Sequence, residues 1–156
     1  MRRNVTTWVV IMAVCVGAER SSLHAQDAPR ASGVLLLAHG GSAAWDANVQ
    51  AIADEVNRTM PVEVALGMAT RANIQRAVER LEARGVARIV AVPLFISSHS
   101  SVITSTEYLL GARRDMPGAL KVFATMSHGP TGHDAHHGPD PLGTTPVASR
   151  VPITVT

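Results

Sequence analysis

Short apolar runs alternate with amphipathic segments along the middle of the chain, and that alternation leaves few folds open. Residues 34–38 (VLLLA), 62–66 (VEVAL) and 87–92 (ARIVAV) are the right length for buried strands and too short for helices. Between the first two, Trp45, Val49, Ile52 and Val56 recur at helical spacing, which predicts a helix over 44–58, broken at Met60-Pro61. Between the second and third, Ile74, Ala77, Val78 and Leu81 predict a helix over 71–84, with Gly85 as its left-handed terminator. Pro93 is expected to stop the third strand. Val102, Thr106, Leu109 and Leu110 then predict a third helix, with Gly111 after it. Residues 120–124 (LKVFA) are expected to form a short strand or a strand-like connection. Strands and helices that alternate through short connections make βαβ units, so the class is α/β with a parallel sheet.

The regions outside this body differ in character. Residues 1–4 carry Arg2 and Arg3, residues 5–18 form an uncharged apolar run, and Ala25 offers a small residue before a cut. This is the pattern of a secretory signal over residues 1–25, and it predicts an exported, periplasmic protein. The alternative is an N-terminal membrane anchor, although spanning a bilayer takes about 20 apolar residues and this run is shorter. Residues 126–150 are rich in His, Gly and Pro without periodicity and are expected to be an irregular loop. Residues 151–156 (VPITVT) resemble a terminal strand. A helix ordinarily follows such a strand and covers the sheet, so a partner or a second lobe is expected in its place. These boundaries leave residues 33–125 as the α/β lobe.

Charge and cysteine content exclude several function classes. The sequence holds 14 Lys and Arg against 12 Asp and Glu, and removal of residues 1–25 leaves 11 of each. With no basic surplus to neutralise phosphates, a nucleic-acid partner is not expected. Cys15 is the only cysteine and lies in the expected signal. Disulfides, thiolate metal sites and cysteine nucleophiles are therefore excluded from the mature chain, and a metal would fall to His, carboxylate or backbone oxygen.

In a parallel sheet, ligands bind outside the carboxyl ends of the strands. That rule selects the loop after the first strand, His39-Gly40-Gly41-Ser42, and the loop after the third, which carries Ser97, Ser98 and His99. A neutral imidazole is a ligand for Co, Ni, Fe and Zn ions and accepts a proton near neutral pH. Gly40 and Gly41 leave room for a bulky ligand, and the serine hydroxyls suit a lining that bonds carboxylates or water. Arg71, at the start of the second helix, is a candidate for an anionic group. His128, His133, His136 and His137 form a second cluster, without the fixed spacing of a structural zinc site, that would serve as an auxiliary metal collector. The Arg76, Arg80, Arg84 and Glu79, Glu82 pattern is expected to be a solvated helix face. A hydrolase reading of the Ser/His loop lacks both an elbow motif and an orienting acid.

VLLLAHGGS followed by PLFISSHSSVI resembles the class II chelatases of the sirohydrochlorin cobaltochelatase type, the CbiX-like and SirB-like group. The resemblance spans about residues 33–125. It implies a flavodoxin-like or Rossmann-like lobe and insertion of a divalent ion, cobalt first and Ni²⁺ or Fe²⁺ as alternatives, into a sirohydrochlorin-like tetrapyrrole, with no organic cofactor. His39 matches the family's first active-site histidine and His99 the histidine after the PLF strand. Which of them binds the metal and which takes the proton stays open. Gly40, Gly41, Ser42, Ser97 and Ser98 are the implied substrate contacts. The first loop carries Gly41-Ser42 where the family often reads Ser-Arg. One-lobe family members pair as homodimers, which implies a homodimer or a second lobe here. The alternative function is an exported metal- or tetrapyrrole-binding carrier without turnover, favoured by the signal and the histidine cluster.

Overall fold

A computed structural model of the chain describes residues 31–97, 99–125 and 142–156. The expected signal, Cys15 and Ser98 lie outside these residues, as do His128, His133, His136 and His137. The described elements are β1 (Ser32–Ala38), α1 (Ala43–Val56), β2 (Val62–Leu66), α2 (Arg71–Ala83), β3 (Arg88–Leu94), α3 (Ser101–Leu109), α4 (Gly118–Thr125) and β4 (Ile153–Val155). The four strands form one parallel sheet in the order β2-β1-β3-β4. This is the α/β class that the alternation predicts. Among the described residues, no helix is long and apolar enough to cross a membrane.

The alternation of side chains along β1 divides the core between the two faces of the sheet. Leu36 and Ala38 pack with Val49 and Ala53 of α1 and with Val62. Leu35 and Leu37 join Ile74, Ala77, Val78 and Leu81 of α2, Leu109 of α3 and Leu120 of α4 on the other face. Among the described residues, one helix therefore covers one face and three cover the other. Gly33 allows the close approach of α2 to the start of β1: a Cβ there would lie 2.9 Å from Val86 Cγ1 and 3.0 Å from Leu81 Cδ2. Gly85 terminates α2 at φ +75°, the left-handed cap expected of it.

Two expectations are corrected. The segment 120–124 is part of α4, a helix, and not a strand. Pro117 opens its first turn by accepting the Leu120 N–H at 3.0 Å, and Leu120 and Phe123, one turn apart, both reach the larger core. Strand β3 also runs through Pro93 to Leu94. Ile89 N–H and Ala91 C=O bond toward β4, so Pro93, of the same parity, faces that side as well. Pairing with β4 stops at Ala91, so the missing N–H of Pro93 falls where no strand needs it.

On the polar side of α2, expected to be solvated, Glu79, Arg80 and Arg84 are exposed, but the helix also bonds the outer edge of β2 and the segment that leads into β4. At the outer edge of β2, Asn57 Oδ1 accepts the Val62 N–H at 3.1 Å and Arg84 donates to the Val62 carbonyl at 3.1 Å. Arg80 and Arg84 also pair with Glu63, at 2.6 and 3.4 Å. Side chains thus occupy an edge that would otherwise invite another strand. Along α2, Arg71 Nε donates to the Thr145 carbonyl at 3.0 Å, and Gln75 both accepts from and donates to the Ala148 backbone, at 2.8 and 3.1 Å. Glu82 accepts from the Ser149 hydroxyl at 3.0 Å, from Arg150 Nε at 2.8 Å and from the Arg150 backbone N–H. These contacts lead residues 145–150 along α2 and into β4. Burial alone would raise the Glu82 carboxyl, but the bonds from Arg150 and Ser149 and the Arg150 charge outweigh it and hold the group below its ordinary range.

Candidate functional site

The carboxyl ends of β2, β1 and β3 lie side by side. Ala38, the last residue of β1, is in register with Leu66 of β2 and Leu94 of β3. The ladder runs one step further, with Gly67 N–H donating to the Ala38 carbonyl at 2.9 Å. Since α1 leaves β1 toward one face of the sheet and α3 leaves β3 toward the other, the loops after β1 and β3 diverge. The strand order reverses between β1 and β3, which is where a parallel sheet of this kind is expected to take a ligand.

His39 follows Ala38 directly and stands exposed on this edge. Its Nδ1 lies 3.1 Å from the Gly40 carbonyl. A carbonyl only accepts, so in this bond Nδ1 carries the proton and Nε2 keeps its lone pair in the neutral ring. Gly40 sits at φ +78°, a left-handed turn that a side chain would strain. The Gly41 N–H donates to Asp46 Oδ1 at 2.9 Å, and Ser42 caps α1 by accepting the Trp45 N–H at 3.2 Å. The loop is therefore tied to the first turn of α1 at two points. Asp46, which sequence reasoning passed over, performs one of those ties; an acid in a first helical turn was the signal for it.

His99 is exposed in the loop after β3, and its backbone N–H donates to Ser97 Oγ at 3.3 Å. Ser100 caps α3 by accepting the Ile103 N–H at 3.3 Å. The structure thus brings His39, Gly40, Gly41 and Ser42 to one side of one sheet edge, and Ser97 and His99 to the neighbouring strand end. Arg71 starts α2 at the same end of the sheet, where its Nε is engaged by the Thr145 carbonyl. The loop between β2 and α2 borders His39 from the other direction and holds two residues in the left-handed region, Gly67 at φ +130° and Ala69 at φ +50°. Among the described residues, no three His, Cys, Asp or Glu side chains gather into a metal cage.

Comparison with protein-family models matches residues 33–147 to CbiX. Comparison with curated proteins gives no match.

Proposed function

The chain belongs to the CbiX family of class II chelatases, which put a divalent metal into a tetrapyrrole, and from that premise we propose that it inserts cobalt into a sirohydrochlorin-type macrocycle between His39 and His99. The observation that carries this reading is the register of Ala38 with Leu94, which sets the two histidine loops on adjacent strand ends.

Insertion exchanges one divalent ion for two pyrrole N–H protons, and the ion must shed water on the way. The free Nε2 lone pair of His39 can take either the metal or a proton, and His99 faces the same substrate from the β3 side. These two histidines leave the incoming ion positions for water and then for the pyrrole nitrogens, so it is bound as a substrate in transit. Gly40 and Gly41 leave backbone surface open to the macrocycle, and the Ser42 and Ser97 hydroxyls lie near its carboxylate periphery. Ser98 joins the same lining by sequence, and His128, His133, His136 and His137 supply metal to it from the histidine-rich segment.

Two further parts of the reading rest on sequence and surface. The signal pattern over residues 1–25 supports a periplasmic location. A homodimer is supported by apolar side chains left uncovered beside α1, the exposed Ile52 of α1 and the half-buried Val90 of β3. The test is anaerobic visible absorption of sirohydrochlorin with Co²⁺ and catalytic protein. Turnover well beyond one equivalent supports the chelatase, while one equivalent bound and retained is the behaviour of a carrier and overturns it.

A further inference from the structure

Trp45 is placed where a fold has no use for it. The chain has two tryptophans, one tyrosine and two phenylalanines. Phe95, Tyr108 and Phe123 all pack against the larger core, but Trp45 belongs to neither core cluster and is 48% exposed. Its ring lies along the His39 loop: a Cβ on Gly41 would stand 3.3 Å from Trp45 Cδ1 and 3.5 Å from Cγ. A side chain at Gly41, two positions from His39, would crowd the indole. The Ser42 cap and the Asp46 bond hold the same turn from both sides, so the ring is borne on a fixed base.

The flank of α1 that Trp45 occupies can be assigned. Residues on a helix advance by about 100° each. Gln50, Ala53 and Asn57 line a groove with Val62 and Val64, which sets that side of α1 toward β2. By that spacing Trp45 lies on the flank away from β2, on the side of β3. There Leu94 shares the sheet face of Val92, which packs in the α1 cluster, and Leu94 and Ile96 are both exposed. An aromatic ring and two exposed aliphatic side chains therefore stand at the strand ends that carry the histidines and serines. Apolar walls with a few placed polar groups are the make-up of a small-molecule site. A ligand matching this border has a broad conjugated face, to stack on the indole, and a polar periphery.

We propose that the Trp45 indole is the stacking surface for the tetrapyrrole ring, holding its face beside Gly41 so that His39 reaches the pyrrole nitrogens. This rests on the chelatase reading and adds a residue to it. Trp45 is a binding and positioning residue, and it takes no proton and no metal.

The experiment uses metal-free sirohydrochlorin, with affinity taken from the macrocycle's own absorbance and, in a Trp8→Phe background, from quenching of Trp45 as the sole tryptophan. Trp45→Leu keeps apolar bulk without a ring, Trp45→Phe restores a ring, and Val56→Ala is an exposed change three turns away on the same helix. Trp45→Leu is expected to weaken binding by about tenfold, the scale of one aromatic stacking contact with its buried area. Trp45→Phe should recover most of that loss, Val56→Ala should bind as the parent does, and quenching should saturate together with the absorbance change. Equal affinity for the parent, Trp45→Leu and Trp45→Phe would overturn the role of Trp45 and leave the chelatase reading standing. Absence of macrocycle binding by the parent protein would overturn both.

Discussion

Two glycines with positive φ give a matched test of how tightly the functional edge is built. Gly85 ends α2 at φ +75°, and a Cβ there meets nothing within 4 Å. Gly67 follows β2 at φ +130°, and a Cβ there would stand 2.5 Å from Thr70 Oγ1 and 3.2 Å from Thr70 Cβ. Both substitutions to alanine gain about 0.4–1 kcal/mol by restricting the unfolded chain, so that contribution cancels in the comparison. Gly85→Ala carries only left-handed strain, about 1–2 kcal/mol, for a net loss near 1 kcal/mol. Gly67→Ala adopts a region in which side chains are strained by about 1–3 kcal/mol, and it also forces aside Thr70, the residue at the N-terminal boundary of α2. A net loss of about 3 kcal/mol is expected there, roughly 2 kcal/mol beyond Gly85→Ala. In urea denaturation at m near 2 kcal/mol/M, that difference separates the midpoints by about 1 M with m unchanged. Equal midpoints, or a milder effect at Gly67, would show that the β2–α2 loop yields freely and would refute the picture of a rigid edge beneath His39.

Glu82→Gln should weaken the attachment of residues 145–150 to α2 by about 1–2 kcal/mol at pH 7, read from hydrogen exchange in that segment. The native Glu82 carboxyl titrates below its unfolded value, so its stabilising effect is present above about pH 4.3 and fades as pH falls through the native value; the gap between wild type and variant should close on acidification. Thr106 is buried in α3 with its hydroxyl unpartnered, so Thr106→Val, nearly isosteric, should stabilise the fold by about 1 kcal/mol in thermal or urea unfolding; a loss of similar size would mean that the hydroxyl has a bonding role.

Local patterns made the core of the fold legible. Strands β1, β2 and β3 are runs of adjacent apolar residues, and α1, α2 and α3 each carry an apolar stripe at helical period. Their ends fall within two residues of the expected ones. The positions of His39, directly after β1, and of His99, in the loop between β3 and α3, were legible for the same reason, while their roles belong to the proposed function. What the sequence concealed depends on partners distant along the chain. Nothing near Glu82, Gln75 or Arg71 announces bonds to residues 145–150, more than sixty positions later, so a ladder of side chains looked like a solvated face. Helix α4 has eight residues, too few for its Leu120–Phe123 spacing to stand out from a strand. Pro93 looked like a strand stop because its tolerance depends on where β4 ceases to pair. Trp45 fitted the α1 stripe by spacing, and only the packing shows that its ring stays outside the core.

The central claim is that the parallel sheet makes His39 and His99 act on one substrate. A double-mutant cycle on the anaerobic rate of cobalt insertion into sirohydrochlorin tests it most directly. His39→Ala and His99→Ala should each slow insertion by about 100-fold or more, and the double variant should be little slower than the worse single one, because groups that act as a unit are not additive. Single variants that metallate at the parent rate, or a double variant whose loss is the full product of the two, would contradict a shared site.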